Sequence, residues 1–439
     1  MAPEQDSTAK RPSRTHLFRG RPHTPKSVVA GTIGNVMEWY DFGLYGFFAP
    51  VIARLFFPSG SHVTSLIATF GVFAAGFFMR PLGGIVFGSI GDRFGRATVL
   101  RISILTMGTA TFLLGALPTF DQVGRWAALA LVGVRLLQGL SVGGEFSGSV
   151  TYMVETSPLD RRGLSGSFAN VGSLVGTLVG SGLAALVSTL LPQGPLDAWG
   201  WRVPFLLGGV LGAAAWLYVR NIHETPHMQH HEYQHADDSP LREALTQNRR
   251  ETILAVLFAS GYGIVFYIPL VYLPTYASQF GSVSNSLTLQ INSLALALSI
   301  PLIPLSGWFS DHFMRRRHVL LLAFVGLAVT GWALVTFSAR SFDALLVAQV
   351  LLALGVALPL GAAPAMLVEL FPVADRLTGY SLAYNLGLGV AGGTAPMIAT
   401  WLISATGSRA APGFYLALAA LLSAGALYCM RDRSREPLR

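Results

Sequence analysis

The 439-residue sequence is poor in charged residues and in cysteine. Asp, Glu, Lys and Arg together make up 12% of the chain, whereas hydrophobic residues make up 52%. A soluble domain carries about 25% charged residues, so most of this surface must face something other than water. The one cysteine, Cys429, excludes an internal disulfide framework. No Asn-x-Ser/Thr acceptor occurs, so N-glycosylation is not expected.

The positive charge of the chain, formally +8, does not indicate a nucleic-acid partner. The basic residues lie mostly in short loops between apolar runs, which is the pattern that orients a membrane protein. Residues 1–26 are polar and basic and lack the apolar core and cleavage site of a signal peptide. We therefore expect a cytoplasmic tail ahead of the first apolar run.

Twelve apolar runs approach or exceed the length of about 20 residues that a membrane-spanning helix needs. They predict an all-α membrane protein with twelve transmembrane helices. The predicted spans are Ser27–Phe57, Val63–Ile90, Ala97–Leu117, Trp126–Val154, Leu164–Leu190, Val203–Tyr218, Thr252–Gln279, Leu289–Phe309, His318–Phe337, Phe342–Val368, Gly379–Ile403 and Gly413–Cys429.

The loop charges predict the orientation and the domain limits. Most loop Lys and Arg residues fall on the side that carries both chain ends, so both termini are expected in the cytoplasm. The His-rich stretch 221–250 is interpreted as a solvated linker rather than a metal site, because no cysteine or fixed ligand framework accompanies it. The predicted parts are a tail (1–26), a six-helix bundle (27–220), the linker (221–250), a second bundle (251–430) and a tail (431–439).

Two loop motifs recur in the second half at nearly the same offset. The string GSIGDRFGR, with Asp92, follows the second span, and GWFSDHFMRR, with Asp311, follows the eighth. The fourth span ends in ETSPLDRRG at Glu155, and the tenth ends in ELFPVADRLTG at Glu369. Two related halves with a site between them near the midplane are typical of secondary transporters.

These loops resemble the signature of the major facilitator superfamily, and the resemblance covers nearly the whole chain from Gly31. Four further strings resemble the metabolite:proton symporter family, which includes proline/betaine, α-ketoglutarate, citrate and shikimate permeases: GNVMEWYDFGLYG, FFMRPLGG, RLLQGLSVGGE and WGWRVPF. The resemblance implies two pseudo-symmetric six-helix bundles in the inner membrane of a bacterium, and we expect a monomer. The second loop departs from the family pattern, with His312 in place of Arg and Met314 in place of Gly.

Ionisable side chains deep in the spans are the first candidates for function, because a charge at the bilayer centre costs about 2.5–3.5 kcal/mol on insertion scales. Counted along their spans at 1.5 Å per residue, four of them lie near the midplane and predict one cluster: Glu38, Asp41, Arg80 and Glu145. Arg54 and Arg135 are placed nearer the outer side.

Several carboxylates beside one Arg cannot all stay ionised cheaply in a low dielectric, so we expect at least one to exchange a proton. Glu38 or Asp41 is the preferred proton site, with Glu145 as the third carboxylate of the coupling group. Arg80 or Arg135 is the expected anchor of a substrate carboxylate, because the guanidinium fork binds carboxylates bidentately. The alternative is a permanent ion-pair cluster that only locks the helices together.

Further candidates for substrate contact are polar or aromatic residues on helix faces near this cluster: Asn35, Gln138, Tyr267, Tyr384 and Asn385. The aromatic rings would attract a quaternary ammonium group. The alternative is that the amides form interhelical hydrogen bonds and that the tyrosines pack or anchor helices.

The recurring loops predict a gate. An Asp at a helix end can face the N-terminus of a neighbouring helix and pair with Arg, as expected for Asp92 and, in the second half, for Asp311 with Arg315. Such a latch would hold the two halves together on the cytoplasmic side. The predicted gating residues are Asp92, Arg93, Arg96, Glu155, Arg162, Asp311, Arg315, Glu369 and Arg376.

The sequence thus predicts a secondary active transporter, not an enzyme, that takes up a small carboxylate-bearing solute together with protons. A zwitterionic osmolyte or amino acid and a di- or tricarboxylate remain equally open as substrates. The alternatives are an uncoupled facilitator, an efflux carrier of an organic acid, and a receptor with a transporter fold. No cofactor or metal is expected beyond the coupling ion, for which sodium is an alternative to the proton. The expected partners are the polar substrate and membrane lipid.

Overall fold

The computed structural model describes residues 25–84, 86–87, 96–143, 145–220, 248–372 and 376–438. For residues 25–33, 96, 97, 100 and 145 it describes the backbone alone. The regular secondary structure of these ranges is helical throughout, and it groups into twelve long segments joined by short loops.

The helices are named here in chain order. They are α1 (Pro25–Phe47, continued by Ala49–Phe56), α2 (His62–Gly84), α3 (Arg96–Ala116), α4 (Trp126–Glu155), α5 (Leu159–Leu190), α6 (Gln193–Val219), α7 (Arg249–Gln279), α8 (Asn285–His312), α9 (Arg316–Ser338), α10 (Phe342–Leu370), α11 (Arg376–Thr406) and α12 (Ala411–Cys429).

Their length and composition fit a membrane. Ten of these helices, all except α1 and α3, are long and apolar enough to cross a bilayer, and α3 contains a shorter apolar stretch, Arg101–Ala116. With α1, they make up the predicted twelve-helix, all-α membrane fold, which is confirmed. The predicted domain limits stay predictions, because residues 1–24 and 221–247 lie outside the described residues.

The packing repeats after six helices. In the first half α1 packs on α5, α3 packs on α6, and α4 packs on both α2 and α3. In the second half the corresponding pairs are α7 with α11, α9 with α12, and α10 with both α8 and α9. The two halves meet through α2 against α11 and α5 against α8, which are also related pairs. The predicted pseudo-symmetry of two bundles is therefore visible in the contacts.

Glycine allows the closest of these helix contacts. A side chain at Gly176 in α5 would collide with the backbone of α1 at Val36 and Tyr40. In α4 a side chain at Gly143 would collide with the backbone of α2 at Gly84, at the point where α4 is interrupted between Ser141 and Glu145. Small residues allow backbones to approach in membranes, where packing rather than hydrophobic burial holds helices together.

The two halves touch at both ends of the bundle. We call the end where α1 begins and α12 ends the terminal face, and the other end the opposite face. At the opposite face Ser293 donates to the Ser181 hydroxyl at 2.9 Å, and His62 Nε2 donates to Gln279 Oε1 at 2.6 Å. At the terminal face a charged network, described below, joins α5 to α8. Polar groups between these two contacts are enclosed by both halves.

Candidate functional site

Two acidic side chains one helical turn apart on α1 each pair with a different buried arginine. Glu38 accepts a hydrogen bond from Arg80 Nη2 of α2 at 2.6 Å, and all but a few per cent of both side chains is buried. Asp41 accepts one from Arg135 Nη1 of α4 at 3.2 Å, again with both side chains fully buried. The guanidinium carbons of both arginines lie 4.8 Å from the centre of the Phe42 ring.

The Glu38–Arg80 pair is sparsely bonded. The hydrogen bond from Arg80 Nη2 is the only side-chain hydrogen bond of Glu38 among the described residues, and Arg80 Nε is buried there without a partner. The Arg80 guanidinium also lies 4.6 Å from the centre of the Phe77 ring. Gly389 of α11 comes so close that a Cβ there would lie 3.7 Å from Arg80 Cδ. The pair therefore lies where the first half faces the second.

The Asp41–Arg135 pair belongs to a denser network inside the first half. Asp41 Oδ1 accepts hydrogen bonds from Thr111 of α3 and from Gln138 Nε2 of α4, both at 2.7 Å. Arg135 Nη1 also donates to Gln138 Oε1 at 2.8 Å. The Arg135 guanidinium carbon lies 4.3 Å from the centre of the Tyr45 ring. Helices α1, α3 and α4 thus share one saturated carboxylate.

The three described members of the predicted cluster, Glu38, Asp41 and Arg80, do not share one ion pair. The structure forms two separate pairs, and Arg135, placed nearer the outer side by counting, joins the site as the partner of Asp41. The side chain of Glu145, the fourth predicted member, lies outside the described residues. Arg54 lies away from these two pairs, as predicted. It pairs with Asp197 at 2.8 Å, and both side chains are partly exposed.

Around the Glu38–Arg80 pair, several buried polar atoms have no hydrogen-bond partner among the described residues. They come from both halves: Asn35 Oδ1, Trp39 Nε1, Arg80 Nε, Tyr267 Oη and Tyr384 Oη. The rings of Trp39 and Tyr267 stack with centroids 6.1 Å apart, and Tyr384 stacks on Phe146 at 4.5 Å. Buried polar groups are normally bonded, so this concentration marks a place where a polar ligand would be accommodated.

The two tyrosines stand at irregular points of their helices. Tyr267 directly precedes a π-helical turn, Ile268–Tyr272, which contains Pro269. Tyr384 opens a nine-residue π-helical stretch, Tyr384–Gly392. Such segments widen a helix locally and recur at functional sites. Both predicted aromatic candidates of the second half are thereby brought to the same interface as Arg80.

The three amide candidates have different surroundings. Asn35 Nδ2 contacts Ser149 Oγ at 3.4 Å, which leaves its oxygen free among the described residues. Gln138 is engaged in the Asp41 network, as the interhelical alternative expected. Asn385 Nδ2 donates to the carbonyl of Gly143 at 3.2 Å and so links α11 to α4 across the two halves. Asn35 is the amide that keeps an unbonded acceptor near Glu38.

The terminal face is closed by charge on a helix N-terminus. Both carboxylate oxygens of Asp311, at the end of α8, accept backbone N–H bonds from Gly163 and Leu164 in the first turns of α5, at 2.8 and 2.9 Å. The carboxylate thus satisfies unpaired helix donors of the other half and meets the positive end of the α5 dipole. This is the geometry that the sequence predicted for Asp311.

The arginine partner in this network differs from the predicted one. Arg316, not Arg315, donates to Asp311 at 2.7 Å and bidentately to Glu369 at 2.7 and 2.8 Å. Arg315 is exposed. In the related contact of the other half, Arg376 Nη1 of α11 lies 2.6 Å from Glu155 Oε1 of α4.

The remaining gating candidates are only partly described. Arg162 lies 3.9 Å from Glu369 and donates to the backbone carbonyl of Glu436 at 3.0 Å, so the segment after α12 also contacts the first half. Asp92 and Arg93 lie outside the described residues, and Arg96 begins α3 with its side chain not described.

Some site residues were missed by the sequence analysis. Thr111 is a polar residue in the apolar α3, and polar groups in a span are a usable signal. Trp39 lies next to Glu38, but a tryptophan in a span is ordinary, so nothing singled it out. Arg316 stands in a run of three arginines, and the sequence does not tell which of them turns inward.

Comparison with known proteins agrees with this architecture. Residues 27–239 match the family described as "Sugar (and other) transporter", and residues 282–439 match the family described as "Major Facilitator Superfamily". The chain is 32% identical over 429 residues to the proline/betaine transporter of Escherichia coli K12, covering 94% of this chain and 85% of the relative. It is 34% identical over 397 residues to the citrate-proton symporter of Klebsiella pneumoniae, covering 90% and 89%.

Solved structures resemble the fold. The proton:xylose symporter XylE bound to 6-bromo-6-deoxy-D-glucose superposes with a TM-score of 0.74 at 17% identity, over 94% of this chain and 97% of that one. At this identity the likeness concerns the fold alone. The relatives are transporters, which confirms that the chain is not an enzyme. Because the sequence similarity extends over nearly its whole length, this multi-pass membrane protein belongs to the metabolite:proton symporter family of the major facilitator superfamily.

Proposed function

We propose that the protein is a proton-coupled symporter that takes up a small carboxylate-bearing solute by alternating access, with both termini in the cytoplasm of a bacterium. One observation carries the proposal: a buried Glu38–Arg80 pair with a single hydrogen bond, surrounded by unpartnered polar atoms of both halves. We infer that the protein works as a monomer, that the proton is the coupling ion, and that no cofactor takes part.

The charge balance at Arg80 gives the coupling. One guanidinium compensates one carboxylate, and Glu38 occupies that position in this structure. A substrate carboxylate that binds the guanidinium fork displaces Glu38 and leaves it buried without a counter-ion. A buried carboxylate without a counter-ion takes up a proton, because burial disfavours its charged form. Substrate and proton therefore bind together. When the substrate leaves Arg80, Glu38 releases its proton and pairs with Arg80 again.

The surroundings of Arg80 favour a zwitterion. Tyr267 and Tyr384 of the second half lie near Arg80, and Trp39 of α1 stacks on Tyr267. Their ring faces would attract an ammonium or quaternary ammonium group. The Asn35 oxygen would accept a hydrogen bond from a secondary or primary ammonium. The relative named proline/betaine transporter is consistent with this class.

A di- or tricarboxylate is the second candidate, and one observation favours it. Arg135 keeps Nε and Nη2 without partners among the described residues, so a second guanidinium has free donors. The relative named citrate-proton symporter fits this class. In that case both arginines would bind carboxylates of one substrate, and the first half would have to rearrange around Asp41.

Alternating access would use the two closures described above. Opening toward the cytoplasm requires Asp311 to leave the N-terminus of α5 and Arg376 to leave Glu155. Opening outward requires the contacts of Ser181 with Ser293 and of His62 with Gln279 to break. In the proposed cycle, a state in which both closures are present is an occluded intermediate.

Uptake into proteoliposomes tests the proposal. Labelled glycine betaine, proline and citrate are offered with an imposed proton gradient, with a sodium gradient, and with a protonophore. We expect uphill uptake of one substrate class that needs the proton gradient. Glu38→Gln is expected to abolish uphill uptake and to retain exchange of labelled for unlabelled substrate, because the amide oxygen still accepts a hydrogen bond from Arg80 but the amide cannot take up or release a proton.

The control is Asp197→Asn at the opposite face, which is expected to transport like the unmodified protein. Uphill uptake by Glu38→Gln at the unmodified rate would refute the coupling role of Glu38. Downhill flux that ignores the gradient would identify a facilitator, and accumulation only under an inverted gradient would identify an efflux carrier.

A further inference from the structure

The loop between α8 and α9 departs from the family pattern at two positions that the charged network of the gate does not use. His312 and Met314 replace the Arg and Gly that the repeat leads one to expect, and neither takes part in the Asp311–Arg316 network. Both residues are exposed. Met314 instead lines a groove of about 280 Å³ on the outer surface of the bundle, with residues of α8, α9 and α10.

The groove is apolar and faces away from the interface between the halves. Its walls include Leu305, Trp308, Phe309 and Leu322, which are 54%, 40%, 41% and 67% exposed. In a chain that spans a membrane, such side chains meet lipid tails. From Leu302 to the end of α8 at His312 the groove runs along about 15 Å of helix, which matches the ~15 Å depth of one hydrocarbon leaflet. It is therefore long enough to hold the tail of one lipid.

The groove ends at the terminal face beside one exposed arginine and one exposed histidine. Arg315 follows Met314 directly, and its exposed guanidinium forms no ion pair or side-chain hydrogen bond with a described residue. His312 donates Nδ1–H to the Trp308 carbonyl at 3.0 Å and packs on the Trp308 ring, which ties it to the groove wall. Two acidic side chains lie near this loop: Asp311 pairs with Arg316, and Asp432 accepts the Arg317 backbone N–H at 3.0 Å, and neither forms an ion pair with Arg315. The mouth of the groove is thus complementary to a negative headgroup.

We propose that this groove is a binding site for an anionic phospholipid, with one acyl chain along α8 and α9 and the headgroup phosphate at Arg315 and His312. Basic positions between helices at a membrane surface bind anionic headgroups. The replacement of Gly by Met at position 314 supplies the wall that a glycine would leave open. The proposal is independent of the transported substrate and of Glu38.

Native mass spectrometry of the full chain in detergent tests this site. Phosphatidylglycerol and phosphatidylcholine with identical acyl chains are added in equal amounts. We expect the unmodified protein to retain one phosphatidylglycerol in preference to phosphatidylcholine. In Arg315→Gln that preference is expected to fall about fivefold, the factor that one basic residue near an anionic lipid surface contributes. Leu322→Trp and, separately, Leu305→Trp fill the groove and are expected to lose the bound lipid.

Two matched controls separate the site from general effects. Arg161→Gln removes another exposed arginine of the terminal face, and Leu105→Trp fills a smaller groove between α3 and α6. Both are expected to bind lipid like the unmodified protein. Equal retention of the two lipids by the unmodified protein would overturn the proposal. So would an Arg315→Gln protein that behaves like Arg161→Gln, or two filled variants that keep phosphatidylglycerol.

Discussion

The two buried ion pairs of α1 are chemically alike, yet they differ in how completely they are bonded. Asp41 is held by Arg135, Thr111 and Gln138, three donors from the same half of the molecule. Glu38 has the single donor Arg80 and faces the second half. A saturated carboxylate resists change, because a ligand would have to replace all its bonds. A sparsely bonded carboxylate at a moving interface is suited to exchange its partner.

The comparison gives each pair a different task. The Asp41–Arg135 pair joins three helices of the first half, which would move as one body in the proposed cycle. The Glu38–Arg80 pair meets the second half, so its surroundings change whenever the halves move. The sequence places both acids on one helix one turn apart, and only their neighbours distinguish them.

The largest expected effect is on stability, through the amide variants of the two acids. Asp41→Asn leaves one oxygen for three donors and leaves Arg135 buried without a counter-ion. Breaking a buried pair costs about 3–5 kcal/mol. Glu38→Gln also removes a charge but keeps the one hydrogen bond to Arg80. We therefore expect Asp41→Asn to lower the melting temperature in detergent clearly more than Glu38→Gln.

Transport separates the same variants. Both amides are expected to lose uphill uptake, whereas substrate exchange is expected to survive in Glu38→Gln alone. Equal melting temperatures of the two variants would show that the extra hydrogen bonds of Asp41 do not stabilise the protein, and the assigned division of tasks would fail.

Much of this arrangement was accessible from the sequence, and the part that was not has physical causes. Intramembrane charge is costly, so the sequence analysis singled out Glu38, Asp41, Arg80 and Arg135. Their pairing was missed because counting along the chain treats each helix as straight, whereas α4 is interrupted between Ser141 and Glu145. The sequence did contain a hint of the correct pairing. Asp41 lies one turn nearer the outer side than Glu38, and Arg135 lies nearer the outer side than Arg80.

The gate shows a similar limit. The motif predicted an Asp on a helix N-terminus, because that attraction depends only on charge and on the helix end. The choice between Arg315 and Arg316 depends on the backbone of the loop, since neighbouring residues point in different directions. Arg315 lies ahead of α9 with an extended backbone, and Arg316 begins the helix and turns inward. No pattern in a run of three arginines encodes that choice.

An effect of intermediate size, on the chemical labelling of introduced cysteines, would show which of the two pairs lies at the interface that opens in the proposed cycle. In a Cys429→Ser background, Ser381→Cys places a thiol where α11 meets α4, and Ser103→Cys places one inside the first half against α4. Asp311→Asn weakens the charged contact with α5 by about 1–2 kcal/mol. The population of molecules open at the terminal face should rise by a factor of about 5–30, and maleimide labelling of Ser381→Cys should rise with it.

Labelling of Ser103→Cys is expected to stay low in the same Asp311→Asn background, because Ser103 is buried and the first half would move as one body in the proposed cycle. Labelling of both thiols would mean that the first half itself loosens, and the contrast between an exchanging and a fixed pair would be lost. Labelling of neither would mean that Asp311 does not hold the gate.

The smallest expected effect concerns Phe42, whose ring contacts both arginines. A cation at a ring face contributes about 0.5–2 kcal/mol, more where water is excluded. Phe42→Leu keeps an apolar side chain but removes both contacts. Phe48→Leu is the matched control on the same segment, since Phe48 is equally buried and packs on Phe205 rather than on an arginine. We expect Phe42→Leu to destabilise the protein by about 1–2 kcal/mol more than Phe48→Leu in thermal denaturation.

The double variants distinguish how the ring serves the two pairs. If Phe42 supports the Asp41–Arg135 pair, the effects of Phe42→Leu and Asp41→Asn on stability should not add, because residues in one network couple. If it supports mainly the Glu38–Arg80 pair, the effects of Phe42→Leu and Glu38→Gln should be the non-additive ones. Additivity with both acids would show that the ring only fills space, and the two pairs would then be independent of each other in stability as well as in task.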